Sequence, residues 1–207
     1  LFLLTVIPGA IVLLLIWGLQ ETAPTGTTAE PLRLTLAPFD GRFRRFLLAL
    51  TLFTLGNSSD AFLILRAQNL GFSVVGVLVL FVAFNLVYAL AAMPAGMVSD
   101  KLGRKGVIVV GWAIYALSYL GLALASATWQ VWLLFALYGL YYGISEGVCR
   151  AFVCDLVPVE RRGTAYGWYH TAVGVSLLPA SVIAGLLWDY VNPATTLKDF
   201  VYDYKNS

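Results

Sequence analysis

Residues 96–105 read GMVSDKLGRK and join two long apolar runs, at 75–97 and 106–127. Four of these ten residues are charged, and Gly103 permits a tight reversal of the chain. The carboxylate of Asp100 can accept hydrogen bonds from the unpaired N–H groups of a neighbouring helix N-terminus. The stretch is therefore typical of a short polar loop between two antiparallel apolar helices.

The composition of the whole chain indicates a membrane protein. Of the 207 residues, 60% are apolar and only 12% are Asp, Glu, Lys or Arg. Soluble domains carry about 25% charged residues, so an ordinary soluble domain is excluded. The formal net charge of +2 is too small, and the charges are too scattered, for a nucleic-acid surface.

Six apolar runs are long enough to predict membrane-spanning helices, which need about 20 residues each. Because lipid leaves no backbone group unpaired, each run is predicted to be helical. The runs lie at 1–18, 46–66, 75–97, 106–127, 130–154 and 163–188. We therefore expect an all-α, polytopic bundle of about six membrane-spanning helices.

The apolar runs divide the chain into four segments. A helix at 1–19 is followed by a polar, Pro/Gly/Thr-rich linker at 20–45, a helix bundle at 46–190 and a polar tail at 191–207. The connections within the bundle are short, so its five helices are expected to form one compact unit. Since the chain begins with Leu1 and shows no signal-peptide pattern, we expect it to be a piece of something longer.

The distribution of Lys and Arg predicts the sidedness of the protein in the membrane. The linker holds four basic residues, the loop at 98–105 holds three, and Arg150 with the loop at 156–162 holds three more, out of 13 in all. Basic loops stay in the cytoplasm. The linker and both loops are therefore expected to be cytoplasmic, in an integral protein of a bacterial inner membrane.

The stretch GMVSDKLGRK resembles the G-x-x-x-D-[RK]-x-G-R-[RK] signature of the major facilitator superfamily, found between helices 2 and 3 and again between helices 8 and 9. Its fixed positions are filled by Gly96, Asp100, Lys101, Gly103, Arg104 and Lys105. Placed at helices 8 and 9, the signature makes the chain resemble helix 6, the loop between the two halves, and helices 7 to 11. The loop PVERRG at 158–163 is similar to the loop between helices 10 and 11 of such transporters. The resemblance covers about residues 1–190, after which the polar tail stands where a twelfth helix would follow.

The resemblance implies a secondary transporter that moves a small solute or drug by alternating access, with proton-coupled efflux by an antiporter as one form. Its partners would be the substrate, the lipid bilayer and the missing amino-terminal half. The signature residues would form a conformational gate. No cofactor is expected: the chain has one histidine and no H-E-x-x-H or phosphate-binding motif.

Two acids within the predicted helices are candidates for function, because each costs about 2.5–3.5 kcal/mol to insert into a membrane. In one helix, Asp60 would share a face with Asn57 and Gly56. In another, Glu146 would follow Tyr138 and Tyr142 in an aromatic strip. We expect both acids to face a central cavity, Asp60 towards its outer end and Glu146 nearer its inner end, with at least one binding substrate or proton.

Structural roles remain open for these polar residues. Asp60 could be satisfied by Asn57 and Ser59, and Glu146 could be neutralised by Arg150 at i+4. On another predicted helix, Asn85 would contribute hydrogen bonds to the cavity or to a neighbouring helix.

Two further functions remain as alternatives. GISEG at 143–147 matches G-x-S-x-G, and with His170 it could indicate an intramembrane serine protease. The motif lies in mid-helix, without the sharp turn that would expose a hydroxyl, so Ser145 is not expected to be a nucleophile. A membrane scaffold without transport activity is the other alternative, if the chain is complete.

Overall fold

A computed structural model describes residues 6–18, 35–57 and 60–191. The chain divides into two units, residues 1–35 and 36–207. In the first unit, helix α1 (Val6–Trp17) lies within the run predicted at 1–18. It is apolar along its whole length and its large side chains are exposed, as expected of a helix that is surrounded by apolar material.

The second unit begins with two short helices, α2 (Gly41–Leu55) and α3 (Ala61–Asn69). The prediction of one continuous helix at 46–66 is therefore wrong. Helix α2 also includes residues 41–45, which were assigned to the linker. The helix ends at Gly56, whose N–H donates to the carbonyl of Phe53, while the N–H of Asn57 donates to Thr54. The sequence GNSSD over 56–60 explains the break, since Gly, Asn, Ser and Asp all favour turns over helix interiors.

Four long helices follow, and each is long and apolar enough to cross a membrane. They are α4 (Val74–Leu102), α5 (Arg104–Leu124), α6 (Thr128–Leu156) and α7 (Arg162–Val191), the last preceded by a single 3-10 turn at Val159–Arg161. These helices contain or overlap the runs predicted at 75–97, 106–127, 130–154 and 163–188. The described residues thus hold four candidate spans; the run at 46–66 is broken, and only residues 6–18 of the run at 1–18 are described.

Helix α6 packs closely between α4 and α5, while α2 packs mainly against α7. Small residues allow this approach: a Cβ atom added to Gly139 would lie 2.5 Å from the Phe84 carbonyl oxygen, and one on Gly143 would lie 2.8 Å from that of Tyr88. Two clusters of buried side chains result. One joins α3, α4, α5 and α6, and the other joins α2, α5, α6 and α7.

Candidate functional site

The break between α2 and α3 places Asp60 against the middle of α6. The hydroxyl of Tyr138 donates a hydrogen bond to Oδ1 of Asp60 over 2.7 Å. Tyr138 is almost completely buried, whereas Asp60 is half-buried at the start of α3 and makes no cap hydrogen bond there. The structure therefore brings together two of the predicted site residues that are 78 positions apart in the sequence.

Asn57 lies in the same break, next to a tyrosine that the sequence did not single out. The hydroxyl of Tyr115, on α5, lies 3.0 Å from the carbonyl oxygen of Gly56 and 3.3 Å from Oδ1 of Asn57. A tyrosine in an apolar helix carries no local signal of such a partner. The end of α2 is thus held by α5, and the start of α3 by α6.

Glu146 has two partners from different directions. The hydroxyl of Tyr88 on α4 donates to Oε2 of Glu146 over 2.6 Å, and the guanidinium of Arg150 forms an ion pair with Oε1 one turn along α6. The side chains of Glu146 and Arg150 keep 35% and 50% of their surface exposed. The ion pair leaves both groups accessible, so its presence does not exclude contact with a solute.

Asn85 does not make the hydrogen bond to the cavity or to a neighbouring helix that we expected. It is exposed on α4, and its amide donates to the carbonyl of Phe81 one turn back, over 2.8 Å. Its hydrogen bond therefore stays within its own helix and reaches neither the cavity nor a neighbouring helix. Tyr88, which shares a face of the same predicted helix with Asn85 and for which we expect the same kind of hydrogen bond, does reach a neighbouring helix, at Glu146 of α6.

A cavity of about 250 Å³ opens among α2, α5, α6 and α7. Its polar lining comes from Thr54, Asn57, Ser145, Glu146, Arg150 and His170, and its aromatic lining from Phe53, Trp112, Tyr141, Tyr142 and Tyr169. The rings of Phe53 and Trp112 stack with their centroids 4.4 Å apart. We call this cavity the aromatic cavity. It combines charged groups at one part of its wall with flat apolar surfaces at another.

Only one of the two acids lines the aromatic cavity. Glu146 does, whereas Asp60 and Tyr138 are not among its lining residues, so the expectation that both acids face one cavity is wrong for this state of the molecule. The physical reason is the helix break, which turns Asp60 towards α6. Tyr138 still connects the two places, since its ring contacts that of Tyr142 at a centroid distance of 5.2 Å.

The signature stretch forms an ion-pair cluster at the ends of three helices. Arg104 reaches Asp100 of α4 at 3.3 Å and Asp155 of α6 at 3.1 Å. Gly103 adopts a φ of +93°, a conformation that residues with a Cβ rarely adopt. Gly96 lies nearly two turns from the end of α4 and accepts a hydrogen bond from Ser99, while Lys101 and Lys105 are exposed. Asp155 was missed because its partner is 51 residues away in the sequence.

Ser145 and His170 do not form a catalytic pair in this structure. The hydroxyl of Ser145 is buried without a hydrogen-bond partner in the described part of the chain, and it packs against Gly111 of α5. His170 is exposed on α7. Ser145 is therefore held in a helix–helix contact with Gly111.

Comparison with known families decides which proteins the chain is related to. A sequence model described as Major Facilitator Superfamily matches residues 45–197, well over half of the chain. The chain belongs to the major facilitator superfamily. This membership confirms two predictions: the resemblance carried by the signature stretch, and the all-α membrane fold. It also indicates a transporter family rather than an enzyme, so the serine protease alternative is set aside.

Individual members of the superfamily are similar to this chain over different lengths. An uncharacterized MFS-type transporter of Methanocaldococcus jannaschii is 34% identical over 200 residues, covering 94% of this chain and 50% of that protein. The human lysosomal dipeptide transporter MFSD1 is 32% identical over 108 residues, covering 51% of this chain and 23% of that protein. The class B tetracycline resistance protein of Escherichia coli is 29% identical over 107 residues, or 52% of this chain and 26% of that protein. The chain thus spans about half the length of the Methanocaldococcus relative.

Proposed function

We propose that this chain is the carboxyl-terminal part of a secondary transporter that moves a small organic solute across a membrane by alternating access. The observation that supports this most is the aromatic cavity, in which Glu146 and Arg150 remain accessible between helices of a major facilitator fold. Ionisable groups in such a position are expensive to insert and usually line a pathway for ions or solutes.

The lining of the aromatic cavity favours a solute with both a ring or apolar body and a charged group. The stacked rings of Phe53 and Trp112 offer a flat surface to an apolar or cationic ring, while Arg150 can pair with a carboxylate. Relatives named for tetracycline resistance and for dipeptide transport support a small organic substrate. The proposed site also includes Tyr138 and Tyr142, whose rings connect this cavity to Asp60.

We propose that Asp60 exchanges the coupling proton, with efflux by proton antiport as the expected form. Among the residues that the structure describes, its carboxylate accepts a hydrogen bond from Tyr138, which can shift when the carboxyl group is protonated. Because Asp60 lies outside the lining of the aromatic cavity, proton binding and solute binding would occupy separate places, connected through Tyr138 and Tyr142.

The arrangement in the membrane completes this proposal. Residues 1–19 would be the last helix of the amino-terminal half, 20–45 the cytoplasmic linker, and 46–190 the helices of the other half, with 191–207 as a polar tail. The partner would be the missing amino-terminal half, and the ion-pair cluster around Arg104 would act as the cytoplasmic gate. The protein would lie in a cytoplasmic membrane, which we expect to be bacterial, although the relatives also include archaeal and human proteins.

The experiment is transport by the complete protein in proteoliposomes, tested with tetracycline and with dipeptides, with and without a pH gradient. Asp60→Asn should abolish transport driven by the pH gradient and leave solute exchange at equal pH. Glu146→Gln should weaken both. Glu160→Gln, which changes an exposed acid in the 3-10 turn before α7, is the matched control and should change neither. Transport in Asp60→Asn and Glu146→Gln that equals the control would refute the assigned roles.

A further inference from the structure

A second cavity, of about 430 Å³, lies where α2, α5 and α6 meet at the end of the bundle that carries the basic loops. Three cations line it: Arg42 and Arg45 of α2 and Lys105 of α5. Its remaining lining is apolar and includes Phe46, Val109 and Phe152. We call it the basic groove. It is separate from the aromatic cavity, although Trp112 lines both.

The basic groove has its charges at one end. Along α2 the cations precede Phe46 and Ala49, and along α5 Lys105 precedes Val109 and Trp112. At 1.5 Å per helical residue, the seven residues from Lys105 to Trp112 extend about 10 Å. A ligand that fits this wall therefore needs a charged end and an apolar part about 10 Å long.

The groove carries an excess of positive charge. Arg42 forms an ion pair with Asp40 at 3.1 Å, and Nε of Arg45 donates to the carbonyl of Gly41 at 3.2 Å. Over the residues that the structure describes, Lys105 has neither an ion pair nor a hydrogen bond. Three cations thus face one carboxylate, and the terminal N–H groups of Arg45 and the ammonium of Lys105 remain available.

We propose that the basic groove binds an anionic phospholipid, with the phosphate between Arg45 and Lys105 and an acyl chain along Phe46, Val109 and Phe152. A soluble anion would pair with the cations but would leave the apolar wall without a partner. A zwitterionic lipid would bring a positive charge to a cluster that is already positive. Basic pockets between membrane helices on the cytoplasmic side bind acidic headgroups for this reason.

The test measures lipid retention by the purified chain in detergent micelles, using native mass spectrometry. The added probes are phosphatidylglycerol, phosphatidylcholine of the same chain length, and glycerol 1-phosphate, which has the headgroup phosphate and no acyl chain. We expect phosphatidylglycerol to be retained over phosphatidylcholine and glycerol 1-phosphate not to displace it. Equal retention of the two lipids, or displacement by glycerol 1-phosphate at equal concentration, would overturn the assignment.

Matched variants locate the site. Arg45→Gln with Lys105→Gln should lower phosphatidylglycerol retention about 25-fold, at about five-fold for each charge removed. Arg44→Gln with Lys101→Gln removes two exposed charges that do not line the groove and should lower it far less. An equal loss in both pairs would show general surface attraction and refute a specific site.

The apolar wall has its own pair of variants. Val109 and Val110 are 56% and 54% exposed, but only Val109 lines the groove. Val109→Trp should block the acyl chain and reduce retention, while Val110→Trp should leave it unchanged. Retention that is unaffected by Val109→Trp would contradict the proposed chain position. Circular dichroism of each variant confirms that its helices are intact.

Discussion

The hydroxyl of Tyr138 lies 2.7 Å from Oδ1 of Asp60, so that a buried side chain of α6 is bonded to the residue that begins α3. This bond crosses from one helix to the start of another, at the point where the preceding helix has ended. Its removal should therefore affect the stability of the bundle as well as any exchange of protons at Asp60.

Replacing Tyr138 by Phe should lower the free energy of unfolding by about 1 to 3 kcal/mol, because the carboxylate of Asp60 loses its hydrogen-bond donor. Denaturation by sodium dodecyl sulfate, followed by circular dichroism, measures this change. Tyr190→Phe removes a hydroxyl from a side chain that is 86% exposed and should have no measurable effect. Equal stabilities of the two variants would show that the bond contributes nothing.

Replacing Arg66 by Gln should release the end of α3 from α5. The guanidinium donates to the carbonyls of Leu122, Ala123 and Ala125, which are among those that a helix C-terminus leaves unpaired. We expect a loss of about 1 to 3 kcal/mol in the same unfolding assay. The control is Arg44→Gln, at an exposed position, and a similar loss there would contradict a specific role for Arg66.

The ion pair between Arg104 and Asp155 should show a measurable coupling energy. Both side chains are partly exposed, so a double-mutant cycle with Arg104→Gln and Asp155→Asn should give about 0.2 to 1 kcal/mol, decreasing in high salt. A parallel cycle with Glu160→Gln in place of Asp155→Asn should give no coupling, since Glu160 makes no described ion pair with Arg104. Coupling of equal size in both cycles would argue against a direct contact.

Acid should loosen the start of α2. Hydrogen bonds from the Arg42 side chain and from the N–H of Gly41 lower the pKa of Asp40 below its usual 3.8. Because the pKa of Asp40 is lower in the folded protein than in the unfolded one, its ionised carboxylate stabilises the start of α2 above pH 3.8. This stabilisation is lost as the pH falls through the pKa of the folded state. Hydrogen exchange at residues 41–44 should therefore increase in acid relative to Asp40→Asn at the same pH. Identical exchange in the two proteins at every pH would refute this role.

Labelling of single cysteines should place the ends of the helices on opposite sides of the membrane. After Cys149 and Cys154 are replaced by Ala, Lys101→Cys should react only with a reagent supplied from the cytoplasm, and Ser126→Cys only with one supplied from outside. Both positions are exposed, whereas nearby Ser99 is buried and would report poorly. Labelling of residue 101 from outside intact cells would reverse the proposed orientation.

Helix length and apolar content were sufficient to predict α4 to α7, because a long apolar run has few alternatives in lipid. The break at 56–60 was missed since its polar residues were interpreted as one face of a continuous helix. Such a face and a turn have the same composition, and only the backbone hydrogen bonds of Gly56 and Asn57 distinguish them.

The candidate site was predictable in part. Asp60 and Glu146 stand out because acids are rare in apolar runs, and Tyr138 was named from its place in the same strip as Glu146. That Tyr138 pairs with Asp60, and Tyr88 with Glu146, depends on which helices are neighbours, which periodicity within one helix does not reveal. The ion pair of Asp155 with Arg104 and the lining of the basic groove also depend on which helices are neighbours.

The turn at Gly56 also divides the bundle mechanically. Helix α2 shares its buried cluster with α7 and with parts of α5 and α6, whereas α3 shares one with α4, α5 and α6 and is tied to α5 by Arg66. A rotation of the α2–α7 pair against the other helices would bend the chain between α2 and α3, and it would strain the hydrogen bonds from Tyr115 of α5 to Gly56 and Asn57. The aromatic cavity has walls from both groups, so such a rotation would change its width while the Tyr138–Asp60 bond stayed in place. On the function that we propose, this bend would let the aromatic cavity open and close around a solute while Asp60, to which we assign the proton, stayed bonded to Tyr138.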